Sequence, residues 1–181
     1  WIQRNEPEVW QDILDGQTII GTVDSYIVAR LSGGRSHITD ASNASRTQLC
    51  NIDTANWDDE LLDLFNVPKN ALPTIVANYG QLAETDPDAF LGIDAPITGM
   101  AGDQQAALFG QGAINSGDAK CTYGTGAFLL LNTGENPVSS NEGLLTTVAW
   151  QHPSGSRTYA LEGSVFVAGA AVQWLRDGLG F

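Results

Sequence analysis

The chain has 181 residues, of which 43% are hydrophobic and 16% charged, a composition that is typical of globular proteins and excludes a disordered chain. The formal net charge is −13 with only two lysines, Lys69 and Lys120, so the surface repels nucleic acid and anionic membranes, and we expect no nucleic-acid partner. No apolar run approaches the length of about 18 residues that crosses a bilayer, which predicts no membrane insertion.

The cysteines and the two ends of the chain bear on its context. Cys50 and Cys121 are far apart and belong to no motif, as expected for reduced thiols in a cytoplasmic protein. The chain begins at Trp1 without a methionine or a signal-peptide pattern, and it stops at Phe181, at the end of a predicted helix. We therefore expect an internal segment of a longer protein.

The first half of the chain predicts short helices that alternate with isolated strands. Apolar residues at helical spacing mark the helices, and Gly16 and the Gly33-Gly34 pair end two of them. A Ser- and Asn-rich segment is assigned to a helix with small packing residues, and the acidic stretch 84–88 to a surface loop. The predicted helices are residues 6–14, 24–31, 41–49 and 58–65, and the strands are 37–40 and a buried strand at 97–101.

The second half changes its period and predicts a sheet. A helix at 104–112 precedes four strand-like runs, and a helix at 165–175 follows them; the runs are residues 119–123, 127–132, 144–150 and 158–161. Strands joined by tight turns and followed by a helix are typical of a mixed α/β domain. The shift in pattern predicts a domain boundary near 99–102, with one domain in residues 1–99 and the next in 100–181.

Asp103 is the first candidate functional residue, because it stands between a predicted strand and a predicted helix. One interpretation is a helix cap, in which the carboxylate accepts from free N–H groups of the first turn. The other is a general base at the end of a strand, where ligands bind in open α/β sheets. Gln104 can both donate to and accept from a hydroxyl, as binding of a polyol requires.

The second candidate is the Gly124-Thr125-Gly126 segment between two predicted strands. It is either a hairpin turn whose glycines supply positive φ or a loop whose N–H groups and Thr125 hydroxyl meet a phosphate. Phe128 is a core or ligand-wall residue, and Gly169 with Gln173 one turn later forms a small-residue helix surface that suits packing. A carboxylate base near a phosphate loop indicates a small-molecule kinase.

Other chemistries find no support in the residues. His37 and His152 lack partners at metal-binding or triad spacing, and neither a zinc pattern, a glycine-lysine phosphate loop nor a dinucleotide fingerprint occurs.

Eight motifs, in order and across nearly the whole chain, resemble the FGGY carbohydrate kinases, and among them those that act on glycerol. The motifs are residues 21–24, 39–47, 57–62, 102–111, 122–126, 132–135, 143–147 and 160–166. The resemblance implies the actin-like ATPase (ribonuclease H-like) fold, with residues 1–99 ending the family's N-terminal domain and 100–181 beginning its C-terminal domain. It also implies MgATP-dependent phosphorylation of glycerol to sn-glycerol 3-phosphate.

The resemblance assigns roles to the candidate residues. Asp103 matches the catalytic base, which also faces the Mg²⁺ shell through water. Gln104 and Phe128 match contacts with glycerol. Nucleotide contacts fall on four residues, Gly124 and Thr125 at the ATP phosphates and Gly169 and Gln173 at the following helix.

Two alternatives stay open beside glycerol phosphorylation. The first is another FGGY sugar or polyol kinase, such as one for xylulose. The second is a non-catalytic actin-like protein that binds ATP. The resemblance also implies a homo-oligomer for the full-length protein, and it puts other substrate contacts outside residues 1–181, so we expect the 181-residue segment alone to be inactive.

Overall fold

The computed structural model describes all residues from 1 to 181, and the chain divides into two compact units, Trp1–Ala101 and Gly102–Phe181. The first unit holds most of the helices and three small sheets. Its helices are α1 (Ile2–Asn5), α2 (Pro7–Leu14), α3 (Val23–Leu31), α4 (Ala41–Ala44) and α5 (Asp59–Phe65), with a 3-10 turn at Lys69–Ala71. Its strands are β1 (Ile38–Asp40), β2 (Cys50–Asn51), β3 (Asn56–Trp57), β4 (Thr74–Val76), β5 (Tyr79–Glu84) and β6 (Pro96–Gly99). In neither unit is a helix long and apolar enough to cross a bilayer.

The strands of the first unit pair two by two. β1 runs parallel to β4, with Ile38 opposite Thr74, whereas β2 with β3 and β5 with β6 are antiparallel pairs. Four predicted elements, α2, α3, β1 and α5, are confirmed within one or two residues. For α5 the local chemistry explains the bounds, because Asp58 accepts from the first-turn amides and Asn66 ends the helix in the left-handed conformation.

The predicted helix at 41–49 is wrong beyond Ala44. α4 has only four residues, and turns follow it. The hydroxyls of Ser45 and Thr47 donate to the backbone carbonyls three residues back, at 2.7 Å each, and Gln48 takes a φ of +61°. Side-chain hydrogen bonds of this kind offer the backbone an alternative to a helix, so the small polar residues end α4 early.

The predicted buried strand at 97–101 is also corrected. β6 covers Pro96–Gly99, and only Ile97 among its residues is half-buried, while the other three are exposed. Its single neighbour is β5, in a pair with Ala83 opposite Ile97. A strand with one neighbour buries little of its surface, which explains the exposure of this apolar run.

Asp40 organises a buried polar network in the first unit. Fully buried at the end of β1, it caps α4 by accepting from the amides of Ser42 and Asn43 and also from their side chains. Asn78 donates to the same carboxylate at 2.7 Å and to the carbonyl of Met100 at 3.0 Å. One carboxylate therefore connects three segments that are distant in sequence.

The second unit is a four-stranded antiparallel sheet with one helix before it and one after it. Its strands are ordered β7-β8-β10-β9, so that β7 and β9 form the edges. The helices are α6 (Asp103–Gly110) and α7 (Gly169–Gly178), and the strands are β7 (Ala119–Tyr123), β8 (Ala127–Gly134), β9 (Leu145–Gln151) and β10 (Arg157–Val165). All four predicted strands and the helix after residue 103 are confirmed.

The core of the second unit lies between α6 and the sheet. Fully buried Leu108 of α6 packs with Leu130 of β8 and Ala160 of β10, and the ring of Phe109 meets Trp150 edge-on at 5.7 Å. This packing fixes the face of the sheet on which the first turn of α6 lies.

The start of the last helix differs from the prediction at 165. β10 continues to Val165, and α7 begins only at Gly169. Val165 pairs with Ala127 in the sheet, so this residue belongs to β10 although its apolar side chain would also suit a helix.

Candidate active site

Asp103 does not cap α6, so the capping interpretation is wrong. It is the first residue of the helix; Gly102 occupies the cap position, and no side chain makes a capping hydrogen bond there. The carboxylate is exposed, and Gln104 donates to it from Nε2 at 3.0 Å. It thus retains oxygen atoms able to accept a proton from a bound molecule.

A buried lysine holds the other end of Gln104. Nζ of Lys120, a residue that is only 2% exposed, donates to Oε1 of Gln104. The same nitrogen donates to Oγ1 of Thr122 at 2.9 Å and to the carbonyl of Phe128 at 3.2 Å. These three oxygen atoms match in number the three N–H bonds that an ammonium group donates.

The electrostatics around Lys120 oppose each other. Burial lowers the pKa of Lys120, while electrostatic interactions, first with Glu162 and then with Asp103, act to raise it. Glu162 is buried on β10. Leu130 of β8 pairs with Glu162 on one side and with Lys120 of β7 on the other, so it lies between the two charged residues. The buried ammonium therefore faces carboxylates on β10 and at the start of α6.

Sequence reasoning missed Lys120. The available signal was its place, as one of only two lysines, near the start of a strand that pairs with the apolar run of β8. A charged residue that is buried at such a position needs partners. Its contact with Gln104 joins positions 16 residues apart, and no local pattern predicts it.

The Gly124-Thr125-Gly126 loop joins β7 to β8 and docks on the start of α7. The amide of Gly169 donates to the carbonyl of Gly124 at 2.9 Å, and the amides of Ala168 and Ala170 donate to the carbonyl of Thr125 at 2.9 and 3.1 Å. The first amides of α7 are thus satisfied by the loop, as helix N-termini require.

The glycines of this site serve close approach, not positive φ as the hairpin interpretation expected. Neither Gly124, Gly126 nor Gly169 has a positive φ. A Cβ at Gly126 would lie 2.6 Å from the carbonyl oxygen of Val165, and one at Gly169 would lie 2.4 Å from that of Gly124. Only hydrogen fits at these two positions.

The tip of the loop offers hydrogen-bond donors to a ligand. Thr125 is exposed, its amide and hydroxyl donate to no other residue, and its carbonyl alone is engaged. The amide of Gly126 likewise has no protein acceptor. Exposed N–H and O–H groups next to one another suit an oxyanion such as a phosphate.

The remaining predicted site residues take separate places. Phe128 is half-buried and joins the cluster through its backbone carbonyl, which accepts from Lys120. Gln173 is exposed on α7, one turn after Gly169. The structure therefore brings together Asp103 with Gln104, and the loop with Gly169.

Two family models match successive parts of the chain. The model of the FGGY family of carbohydrate kinases, N-terminal domain, matches residues 1–110, and that of the C-terminal domain of the same family matches residues 119–181. The chain is 53% identical to glycerol kinase of Bdellovibrio bacteriovorus over 180 residues and 58% identical to that of Listeria monocytogenes over 179. Each match covers 99% of this chain and 36% of the relative, so the chain spans about a third of the length of these proteins.

Solved structures agree with the sequence relatives. The structure of Plasmodium falciparum glycerol kinase with ADP matches all of this chain and 36% of that protein, with a TM-score of 0.92 at 41% identity. A ligand-bound xylulose kinase from Lactobacillus acidophilus matches 98% of this chain and 35% of its own, with a TM-score of 0.83 at 25% identity. The predicted actin-like ATPase fold is thereby confirmed, and the chain belongs to the FGGY family of carbohydrate kinases.

Proposed function

We propose that the protein containing this chain phosphorylates glycerol with ATP and releases sn-glycerol 3-phosphate and ADP. The observation that carries the proposal is the Asp103 carboxylate, which is exposed at the first turn of α6, unused as a cap and hydrogen-bonded by Gln104. The choice of glycerol is supported by the relatives of 53% and 58% identity, both glycerol kinases.

Asp103 acts as the general base in this proposal. The proton of the attacking glycerol hydroxyl passes to a carboxylate oxygen while the hydroxyl oxygen forms its bond to the γ-phosphorus. The bond between that phosphorus and the oxygen bridging to the β-phosphate breaks, and ADP leaves with the electron pair. The exposed carboxylate leaves room for a hydroxyl within hydrogen-bond distance.

Gln104 and Phe128 position the polyol. Gln104 keeps N–H bonds on Nε2, one of them donated to Asp103 at 3.0 Å, so a hydroxyl that binds beside the base meets a donor. Phe128 is half-buried on β8, and its ring supplies an apolar wall for the carbon chain.

Gly124 and Thr125 bind the phosphates of ATP, and Gly169 and Gln173 lie at its nucleoside side. The proposal is supported by the exposed amide and hydroxyl of Thr125, which donate to no other residue. The carbonyls of the loop are held by α7, so its donors stay turned toward a ligand. Such a loop positions a phosphoryl group with little reorganisation.

Asp103 is also the proposed Mg²⁺ contact, through a water molecule. An exposed carboxylate fits a hydrated magnesium ion, which prefers oxygen ligands and keeps several waters. When bound with the nucleotide, the ion neutralises charge on the phosphate oxygens. We further propose that residues 1–99 end the N-terminal domain of the kinase and residues 100–181 begin its C-terminal domain, and that the enzyme works in the cytoplasm, where MgATP is available.

The test is ATP turnover by a protein of the relatives' full length that contains this chain. Turnover is measured with glycerol and with xylulose, for the parent, for Asp103→Asn and for the matched control Asp63→Asn, which changes an exposed carboxylate of α5. We expect glycerol-dependent turnover that falls about 10²- to 10⁴-fold in Asp103→Asn, as loss of a general base requires, and stays within about twofold in the control.

The other outcomes discriminate among the alternatives. Turnover on xylulose in place of glycerol would keep the family and reject the substrate. Glycerol turnover that survives Asp103→Asn would reject the base. Absence of turnover with both substrates would favour an actin-like protein that binds ATP without catalysis.

A further inference from the structure

We propose that Lys120 is a positioning residue, which fixes the side-chain amide of Gln104 with its oxygen turned inward and its N–H bonds turned toward Asp103 and the substrate. The identity of that substrate rests on the proposed function. The orientation of Gln104 does not, because it follows from the hydrogen bonds that Gln104 makes with Lys120 and with Asp103.

The orientation follows from hydrogen-bond chemistry. The two ends of a glutamine amide are similar in size, and only their partners decide which end faces which way. An ammonium group donates and never accepts, so Lys120 selects Oε1 of Gln104 as its partner. Nε2 is then left on the side of Asp103, to which it donates at 3.0 Å.

Lys120 is itself held in place. It is 2% exposed, and its other two N–H bonds go to Thr122 at 2.9 Å and to the carbonyl of Phe128 at 3.2 Å, on the two strands that flank the loop. Buried Glu162 adds a negative charge from β10. The side chain of Lys120 is long and flexible, but its hydrogen bonds hold it in one conformation. It can therefore hold the amide of Gln104 in a fixed orientation.

The fixed amide has a chemical consequence for the substrate. A hydroxyl that meets Gln104 faces an N–H donor and binds as an acceptor, so its own proton remains available to another group. The acceptor beside it is the carboxylate of Asp103. Lys120 therefore ensures that the amide donates and only the carboxylate accepts, which directs the proton of the polyol to the base.

The cost of burying a charge argues against simple packing. A methionine fills a similar volume without desolvation, and buried ammonium groups persist where their hydrogen bonds are needed. Here the ammonium connects β7 and β8 to the one side chain that touches the exposed Asp103.

The test is a double-mutant cycle in the full-length protein. Lys120→Met is made in the parent and in a Gln104→Ala background, and kcat/KM for glycerol and KM for ATP are measured in each. Lys69→Met is the matched control, since it removes the other lysine of the chain, which is exposed and paired with Asp59. Because Lys120→Met removes a positive charge that interacts electrostatically with buried Glu162, a second variant carries Glu162→Gln as well and removes both charges together.

We expect Lys120→Met to lower kcat/KM for glycerol at least tenfold in the parent and less than threefold in the Gln104→Ala background, with KM for ATP unchanged within twofold. Lys69→Met stays within threefold of the parent. A purely structural lysine would give the same loss in both backgrounds, and that result would overturn the proposal. So would a loss of less than threefold in the parent.

A second readout separates this proposal from the proposed function. The side-chain amide signal of Gln104 in a nitrogen-15 NMR spectrum, identified by its absence in Gln104→Ala, reports the order of the group without any substrate. We expect a rigid amide in the parent and a mobile one in Lys120→Met. An amide that is equally rigid in both rejects the role of Lys120, whereas a parent that is rigid here but inactive on glycerol rejects only the substrate.

Discussion

Replacement of Gly169 by alanine tests whether the loop at 124–126 is positioned by its docking on α7. The new Cβ would lie 2.4 Å from the carbonyl oxygen of Gly124, about 0.6 Å inside the 3.0 Å limit of real contacts. The obstacle is backbone, not the end of a flexible side chain, so either the loop or the helix start must move. The variant therefore separates the loop from α7 without touching any side chain that we assign to glycerol.

The magnitude follows from the hydrogen bonds at risk. Three backbone bonds of 2.9 to 3.1 Å join the loop to residues 168–170. Each is worth about 1 kcal/mol net, so the docking loses about 1 to 3 kcal/mol, depending on how many bonds break. Since each 1.4 kcal/mol is tenfold in affinity, we expect KM for ATP to rise between about 5-fold and about 140-fold.

The assay is release of ADP by the full-length protein over a range of ATP at saturating glycerol, followed by the reverse titration. Gly110→Ala is the matched control, because the same change at the last residue of α6 meets no atom within 4 Å. We expect the control to keep both KM values and to gain about 0.5 kcal/mol of stability from the removal of a helical glycine.

A Gly169→Ala protein whose KM for ATP stays within twofold of the parent, with an unchanged unfolding midpoint, would show that docking on α7 does not position the loop. An equal rise in both KM values would also count against this role of α7, since damage that is not confined to the nucleotide loop would then be the cause.

Two further predictions concern the first unit. Asp40→Ala should lower the free energy of unfolding by about 3 kcal/mol or more in urea titrations, because the buried donors of Asn78 and of the first turn of α4 lose their acceptor; a loss below about 1 kcal/mol contradicts the network. The amide of Leu61, and then the side chain of Asn51, hold the pKa of Asp58 below its ordinary 3.8, so its stabilisation is complete above that value and disappears as the pH falls through the lowered folded-state pKa. The stability difference between the parent and Asp58→Asn should accordingly be constant above about pH 5 and shrink below about pH 4, and a difference that is independent of pH would show that the cap does not titrate.

The elements that could be predicted are those whose ends carry their own chemistry. α5 begins at a capping aspartate and ends at an asparagine that accepts the left-handed conformation, both visible in the sequence. The failures occurred where two structures compete for the same residues. After α4, the hydroxyls of Ser45 and Thr47 hydrogen-bond the backbone and end the helix. Val165 lies in a strand, although its side chain would also suit a helix.

The candidate site divides in the same way. Asp103 and Gln104 are neighbours in the chain, so their joint role could be predicted from the sequence. The sequence did not show that Asp103 leaves α6 uncapped. The position of Lys120 could not be predicted, because it depends on contacts between β7, β8 and α6. The docking of the loop on α7 could not be predicted either. This docking leaves no space for a side chain at residue 169, so only glycine fits there.

The unequal burial of the two lysines determines how the chain reacts with chemical reagents. Lys69 lies on the surface in an ion pair with Asp59, whereas Lys120 is closed off by its three acceptors. Acylating reagents need access to the nitrogen lone pair, so among the side-chain amines of residues 1–181 they modify Lys69 and spare Lys120. A dye or a solid support coupled through a lysine side chain of this segment is therefore attached at one known residue, without any engineering of the sequence.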